Sequence, residues 1–490
     1  MPAALPRTAL CQLLDCRLPV IAAGMGGVAR SELVAAVSAA GGFGFLGMVR
    51  EPLALIEREV AAVRAAGHTR FGVNLIPAGT DAALLASQID LCIALRVPVV
   101  GLFWDVHAPV VERLSAAGIT VVHQVGSTRA ALEAQRAGAQ ALIAQGVEAG
   151  GHVHGRQPLA ELLPEILALA DVPVAAAGGL ADGRDVARVL HQGAQAAVLG
   201  TAFIATHESF AHDVHKQHLL AASGADDTVL TEDFHINWPP HAPVRVLKSA
   251  VTRGERGDPF ASPRTVIGEE EGRPIYLFST DSPLRSMTGD FDAMALYAGC
   301  GVGKVRATEP AGELVQRLAQ EAAAHLALLQ EPEPEYSSPV CYAPEFDRQR
   351  DQQLATQLNE LLEAERAGAR VTLETARALP GGDALRALVD AIHDDEVRWC
   401  GMLLRALRSL DAQPSTRTGD FYGRAMAIED VRERLAFLNR GQGWVARRVR
   451  ELLQGLEREE LRADLQAMLD GHQGNLARVN ERLGLAAPAR

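Results

Sequence analysis

The chain has 490 residues, of which 48% are hydrophobic and only 4% are aromatic, and its formal net charge at pH 7 is −13. This length and apolar content are sufficient for a substantial core and for two domains. The acidic balance argues against nucleic acid or an anionic membrane as an obligatory partner, because both require basic patches.

The cysteine pattern and the hydropathy indicate the compartment. Six cysteines are scattered through the chain without a C-x-x-C pair, which is typical of reduced thiols rather than of a disulfide framework or a zinc ribbon. No apolar run reaches the roughly 18 to 20 residues needed to span a bilayer, and no signal-peptide pattern is present. We therefore expect a soluble, cytoplasmic enzyme that acts on a small molecule.

From about residue 18 to 205, short β-branched runs alternate with longer amphipathic stretches, a pattern typical of βα units. The predicted strands are 18–23, 43–48, 71–76, 97–103, 119–124, 141–145, 172–177 and 196–200. About eight such units predict a TIM barrel, (β/α)8, since a doubly wound sheet normally has fewer strands.

The remaining chain is predicted to contain a lid, a linker and a helical domain. Residues 206–328 are less regular and are interpreted as a lid that completes a barrel domain over 1–329. Residues 330–346 are rich in Pro and Glu and predict a linker. Four amphipathic helices near 347–379, 382–410, 427–455 and 459–483 then predict an all-α four-helix bundle over 347–490.

Three predicted strands end in glycines, and one of these ends also carries a histidine. Residues 143–152 (IAQGVEAGGH) stop at Gly150 and Gly151 and then present His152. The next two strands are followed by Gly178 with Gly179 and by Gly200 with Thr201. Because loops after the last two strands of a TIM barrel commonly bind phosphate, we expect an anion site there.

A phosphorylated cofactor with a flat ring would extend from this anion site across the barrel mouth. Small residues at the first strand end would allow close ring approach, and amides at the third and fifth strand ends could bond its edge. The corresponding residues are Ala22, Gly24, Met25, Asn74 and Gln124.

The barrel resembles the flavin-dependent nitronate monooxygenases, formerly called 2-nitropropane dioxygenases, over most of residues 10–310. The motifs that carry the resemblance are 19–25 (PVIAAGM), 40–47 (AGGFGFLG), 72–75 (GVNL), 123–127 (HQVGS), 144–152 (AQGVEAGGH), 177–180 (AGGL), 199–201 (LGT) and 296–303 (LYAGCGVG). The Phe-Trp-Asp sequence at 103–105 departs from a smaller sequence in many relatives and is expected to narrow the mouth.

The resemblance implies non-covalent FMN and the oxidation of alkyl nitronates by O2 to a carbonyl compound and nitrite, without NADH. It implies that His152 contacts or protonates the nitronate, and we expect this histidine to supply a charge partner for the anion. It also implies that Gly178, Gly179, Gly200 and Thr201 hold the FMN phosphate, while Ala22, Gly24, Met25, Asn74, Gln124, Gly150 and Gly151 contact the rest of the cofactor.

Two other functions are compatible with the same motifs. An FMN-dependent enoyl-thioester reductase would share the barrel and the glycines, but it would require NAD(P)H. A non-catalytic flavin sensor with a helical interaction module would leave His152 without a purpose. A homo-oligomer is compatible with each of these functions.

The predicted bundle resembles the ferritin-like superfamily, because helical spacing places Glu and His on otherwise apolar faces. His393-x-x-Glu396 runs in reverse order to the di-iron motif, and Gln442 stands where a carboxylate would be needed. A single iron, manganese or zinc ion held by Glu365, His393, Glu396 and His472 is one prediction. A hydrogen-bonded polar core or an interaction module is the alternative.

Overall fold

Eight parallel strands close into a barrel in a computed structural model, which describes residues 5–484 except 262, 331–343, 381–382, 411, 419, 455 and 457. The barrel order is β1-β2-β3-β4-β5-β6-β8-β9. These strands are β1 (Val20–Ala22), β2 (Phe43–Gly47), β3 (Gly72–Leu75), β4 (Val99–Leu102), β5 (Thr120–Val125), β6 (Ala141–Gln145), β8 (Val174–Ala177) and β9 (Ala197–Leu199), with β7 (Gly151–His152) in a separate sheet. The predicted TIM barrel is confirmed.

Except for α1, which precedes β1, the helices of the barrel domain follow strands, as the alternating pattern predicts. They are α1 (Ala9–Leu14), α2 (Ser31–Ala39), α3 (Leu53–Ala65), α4 (Ala82–Ala94), α5 (Ala108–Ala116), α6 (Thr128–Arg136), α7 (Leu159–Leu169), α8 (Gly183–His191), α9 (Thr201–Ile204), α10 (Asp213–Ala221) and α11 (Ala311–Gln330). Helix α11 is the end of the predicted lid segment, and it packs against α2 and α8 in the outer layer.

Alternation along each strand produces two apolar layers. Ile21 of β1 belongs to the cluster inside the barrel, whereas its neighbour Ala22 belongs to the cluster between the barrel and its helices. Leu10 and Leu14 of α1 join the inner cluster. A fully buried Leu or Ile side chain stabilises the folded state by about 1.5–3 kcal/mol. The two layers therefore hold the strands, and with them the strand ends, in fixed positions.

Two small antiparallel sheets are formed by the loops and by the predicted lid. The first has the order β10-β11-β7 and the second has the order β13-β12-β14. Their remaining strands are β10 (Thr228–Thr231), β11 (Val244–Leu247), β12 (Val266–Glu270), β13 (Arg273–Tyr276) and β14 (Met287–Gly289). The first sheet joins the loop after β6 to a segment far along the chain, so that the two are fixed together.

The C-terminal region contains helices and no strand among its described residues, as the sequence predicts. Its helices are α12 (Pro344–Arg377), α13 (Ala384–Ser409), α14 (Phe421–Met426), α15 (Val431–Leu453) and α16 (Glu459–Leu483). The four long helices match the four predicted ones, and α14 is an addition. Helix α12 packs on α13 and α15, and α13 and α15 each pack on α16.

The chain divides into two compact units, Met1–Glu335 and Tyr336–Arg490. Most of the predicted linker, 331–343, lies outside the described residues. In the part of the chain that the structure covers, none of the helices has the length and apolar character needed to cross a membrane.

Candidate active site

A cavity of about 1180 Å³ opens at the carboxyl ends of the barrel strands. All of the predicted cofactor-contacting residues except Ala22 line it, and so does His152. They come from the ends of six different strands, which the barrel brings to one edge. The residues in question are Gly24, Met25, Asn74, Gln124, Gly150, Gly151, Gly178, Gly179, Gly200 and Thr201.

Ala22 is a correction to the predicted site. Its side chain is fully buried in the layer between the barrel and the helices, and Ala23 lines the cavity instead. The reason is the two-residue period of a strand: Ile21 points into the barrel, so Ala22 must point away from it.

The glycines at the predicted phosphate site fit a closely approaching cofactor. Gly178 and Gly179 have φ values of 118° and 68°, a left-handed region that strains other residues. A Cβ atom on Gly150 would lie 2.6 Å from the backbone of Ala298, so this wall also requires glycine. Thr201 accepts a hydrogen bond from the Gly299 N–H at 2.9 Å, which fixes its hydroxyl at the cavity wall. The cavity therefore suits a flat phosphorylated molecule such as FMN.

The loop that carries His152 is held by the barrel and by the first small sheet. His152 pairs with Val244 of β11. The side-chain amide of Gln145, the last residue of β6, donates to the His152 carbonyl at 3.0 Å. The guanidinium of Arg245 donates to the Val147 carbonyl at 2.9 Å. Gln145 was not predicted as a site residue, although its position at a strand end was a usable signal.

The His152 ring is enclosed by aromatic side chains. It stacks on Trp238 with ring centroids 3.5 Å apart, and its centroid is 6.1 Å from Trp104 and 6.0 Å from Tyr297. Burial lowers the pKa of His152 to about 3, and the positive charge of Arg50 adds to this effect. The imidazole is therefore neutral at pH 7. This corrects the expectation that His152 is a cationic charge partner.

The Nε2 atom of His152 is buried, and no described residue gives it a hydrogen-bond partner. Leaving a buried polar atom unpaired costs about 1–3 kcal/mol, so a ligand that bonds to this atom would recover that cost. A bound substrate could provide the missing partner. The chemistry available at this position is hydrogen bonding or proton transfer by a neutral imidazole.

Trp238 was assigned only to the lid by its sequence, and the structure places it in the site. A Cβ atom on Gly79 would lie 2.8 Å from Cζ3 of the indole, so the glycine makes room for it. Its Nε1 is also buried without a partner in the described structure. The sequence shows only a tryptophan within an irregular segment. It cannot reveal that this side chain contacts residue 152.

Trp104 lies beside the His152 ring, and of residues 103–105 only Phe103 lines the cavity. Trp104 is 7% exposed, has a φ of 79° and lies 4.7 Å from the ring of His154, centroid to centroid. His154 Nε2 is in turn 3.4 Å from a carboxylate oxygen of Asp105. Phe103 and Trp104 therefore form an aromatic wall beside His152.

The four predicted metal ligands of the helical unit are all buried, but they contact one another or nearby polar groups. His472 Nε2 lies 3.2 Å from Glu365 Oε1, and Glu396 Oε1 accepts a hydrogen bond from Gln442 at 2.9 Å. Burial raises the pKa of Glu365 and of Glu396 well above the usual range, and the two carboxyl groups interact with each other. Two carboxyl groups in contact need a shared proton.

His393 is directed elsewhere. Its Nδ1 lies 2.9 Å from the Ala369 carbonyl and 3.2 Å from the Thr372 hydroxyl. Among residues with described positions, no group of three or more His, Cys, Asp or Glu side chains is arranged to hold a metal ion. The four predicted ligands therefore do not form a metal site in this structure. Both carboxylate oxygens of Glu365 also lack a hydrogen-bond partner among the described residues. Helical spacing identified the inward positions but could not show where the side chains point.

Comparison with known proteins agrees with this division of the chain. The C-terminal residues 352–481 match a domain of unknown function, DUF6306. A probable nitronate monooxygenase of Staphylococcus haemolyticus is 32% identical over 268 residues, which are 46% of this chain and 75% of that protein. Nitroalkane oxidase from Streptomyces ansochromogenes is 32% identical with a TM-score of 0.54, covering 66% of this chain and 100% of its own.

Other relatives have different names. A (3aS,4S,5R,7aS)-5-hydroxy-7a-methyl-1-oxo-octahydro-1H-indene-4-carboxyl-CoA dehydrogenase of Rhodococcus jostii is 37% identical over 243 residues, which are 50% of this chain and 66% of that protein. FabK from Thermotoga maritima is 27% identical with a TM-score of 0.56, covering 66% of this chain and 99% of its own. The nitronate monooxygenase profile matches residues 7–84 and 80–321. The chain thus belongs to the nitronate monooxygenase family, as its sequence motifs indicated, and its barrel unit is a flavin-dependent oxidoreductase.

Proposed function

We propose that the barrel unit uses FMN and O2 to oxidise small alkyl nitronates to a carbonyl compound and nitrite, without a nicotinamide. The observation that carries the proposal is the neutral, enclosed His152. A base whose pKa is about 3 cannot readily remove a carbon-bound proton from a neutral nitroalkane. A nitronate is already a carbanion equivalent, so it requires an electron acceptor and a hydrogen-bonding group instead.

The cavity residues have separate tasks in this proposal. Gly178, Gly179, Gly200 and Thr201 would hold the FMN phosphate. The rest of the cofactor would contact Ala23, Gly24, Met25, Asn74, Gln124, Gly150 and Gly151. When bound, FMN accepts electrons from the substrate and passes them to O2.

The aromatic wall around His152 controls access and orientation. The Nε2 atom of His152 would hydrogen-bond the substrate, which removes the unpaired state described above. Trp238 covers one face of the imidazole, and Tyr297 is fixed by donating its hydroxyl proton to the Thr280 carbonyl at 2.7 Å. This wall excludes water from the reacting face.

Product analysis tests the reaction. The purified chain is mixed aerobically with propionate 3-nitronate, and nitrite and O2 are measured with and without NADH. We expect nitrite formation and O2 consumption that do not depend on NADH. Absence of nitrite from a flavin-loaded sample, over a range of small nitronates, would refute the proposal.

The second candidate is an NAD(P)H-dependent reductase of enoyl thioesters. The specific observation in its favour is the cavity volume of about 1180 Å³, which exceeds the roughly 300–1,000 Å³ typical of small-molecule sites. The name of the Rhodococcus relative also includes a carboxyl-CoA. Oxidation of NAD(P)H that is stimulated by an enoyl-CoA, with no nitrite from nitronates, would favour this candidate.

A further inference from the structure

Arg50 is a cation at the cavity that forms no ion pair with a described carboxylate. It follows β2 closely, lines the cavity and has a φ of 62°. Its guanidinium donates one hydrogen bond to the Asn237 carbonyl and another, of 3.2 Å, to the Thr280 hydroxyl. Both acceptors are neutral, and no carboxylate of a described residue lies within 4.0 Å of this guanidinium.

The other arginines of the cavity wall are paired. Arg30 lies 3.7 Å from Glu51, Arg58 lies 3.2 Å from Glu59, and Arg273 lies 2.7 Å from Glu270, each distance joining a guanidinium nitrogen and a carboxylate oxygen. An ion pair neutralises much of the charge that such a side chain could offer to a ligand. Arg50 is therefore distinct from these three neighbours.

Arg50 lies next to the aromatic side chains that enclose His152. Its Cζ atom lies 5.8 Å from the centroid of Trp238, the ring that stacks on His152. The same charge disfavours protonation of His152, and it opposes the rise that burial causes in the pKa of Tyr297. The guanidinium thus lies beside one ring around His152 and acts electrostatically on two further groups there.

We propose that Arg50 binds the negative charge of the substrate, and that the site selects small anions with two oxygens in one plane. This inference rests on the proposed function, because a nitronate is such an anion. A guanidinium can donate two parallel hydrogen bonds to a pair of oxygens that share a charge. Arg50 therefore takes the role of charge partner, while His152 supplies a neutral hydrogen-bonding group.

Binding of isobutyrate tests the role without turnover. Isobutyrate has the shape and charge of propane-2-nitronate but cannot be oxidised in the same way, and its binding to the flavin-loaded full chain is measured by calorimetry. We expect Arg50→Met to weaken binding about 10- to 100-fold, in line with the loss of a charge-assisted hydrogen bond. The matched control, Arg58→Met, removes a paired and 69% exposed arginine and should leave binding unchanged.

Arg50→Lys separates charge from packing. Lysine keeps the positive charge but not the planar fork, so we expect it to retain part of the affinity that Arg50→Met loses. Unchanged binding by Arg50→Met overturns the inference. Equal losses in both variants also overturn it, because they would assign Arg50 only to holding the Asn237 segment.

The inference and the proposed function can fail separately. If the wild-type chain binds isobutyrate through Arg50 but oxidises no nitronate, the anion site stands and the proposed reaction falls. If the wild-type chain oxidises nitronates and Arg50→Met leaves both isobutyrate binding and the KM for nitronate unchanged, the reaction stands and the role of Arg50 falls.

Discussion

The imidazole of His152 lies against the indole of Trp238, with ring centroids 3.5 Å apart and planes inclined by 24°. This contact joins the loop after β6 to a segment 86 residues further along the chain, counted from the two residue numbers. It covers one face of the imidazole, whose burial lowers its pKa. The contact therefore links the lid to the protonation state of the candidate catalytic group.

Removal of the indole should raise the pKa of His152. In Trp238→Ala, water can reach the ring, so we expect the pKa to move from about 3 toward the ordinary value near 6.5. Trp238→Phe keeps an aromatic cover and should change it less. Histidine NMR titration of the flavin-loaded chain measures the shift. A pKa that stays near 3 in Trp238→Ala would show that the indole is not the source of desolvation.

The rate of nitronate oxidation should not follow a histidine titration. Since His152 is neutral above about pH 4 and arginine stays protonated, we expect kcat/KM to be flat between pH 5.5 and 9. Assays with freshly prepared nitronate across this range provide the test. An inflection near pH 6.5 that disappears in a His152 variant would contradict the neutral imidazole.

Replacing His152 should affect turnover more than cofactor content. His152→Asn removes the imidazole, and we expect kcat/KM for the nitronate to fall about 100-fold, the lower end of the 10²–10³ range for loss of one positioned hydrogen-bonding group. The flavin should stay bound, because the glycines and Thr201 hold its phosphate in the proposal. The ratio of flavin to protein absorbance checks this point, and loss of the flavin would oppose the assignment.

Gln145 should act as a positioning residue for the His152 loop. Gln145→Ala removes the bond to the His152 carbonyl, worth about 0.5–1.5 kcal/mol, so we expect kcat/KM to fall roughly 2- to 13-fold at unchanged flavin content. The matched control is Gln140→Ala. Gln140 immediately precedes β6, the strand that Gln145 ends, and its side chain accepts a 2.7 Å hydrogen bond from the Val121 N–H. Equal losses of kcat/KM in the two variants would argue against a positioning role.

The paired carboxyl groups of the helical unit predict a stability that falls as the pH rises. Burial raises the folded-state pKa of Glu365 and Glu396, so both groups favour protons more in the folded than in the unfolded chain. The two groups contribute fully to the free energy of unfolding below the unfolded-state pKa near 4.3, and this contribution declines as the pH rises above it. Burial lowers the pKa of His472, which opposes this trend only below about pH 6.5.

Above pH 6.5, we therefore expect the free energy of unfolding of α12–α16 to fall by about 1.4 kcal/mol per pH unit for each carboxyl that stays protonated. Hydrogen exchange of peptides from 352–481 in the full chain measures it. Glu396→Gln mimics the protonated form and should reduce the slope. A slope that is unchanged in this variant, or stability that rises with pH, would contradict the shared proton.

The sequence predicted the barrel and most of the residues that line the cavity. The alternation of strand and helix patterns, together with the glycines after the strands, shows where each strand ends. Gly178 and Gly200 could be identified in this way, since parallel strands bring their carboxyl ends together. The prediction for Ala22 was wrong by one residue, because the next residue along the chain lines the cavity instead. Arg50 and Trp238 could not be identified, because their roles arise from contacts between distant segments. Helical spacing also could not predict which groups the His393 imidazole contacts.

Anaerobic reduction of the flavin tests the central claim most directly. The full chain is mixed in a stopped-flow spectrometer with propionate 3-nitronate or with NADH, and the absorbance of the oxidised flavin is followed. We predict rapid bleaching by the nitronate alone. Bleaching by NADH together with no response to the nitronate would contradict the account and indicate the reductase, and no response to either would indicate a flavin sensor.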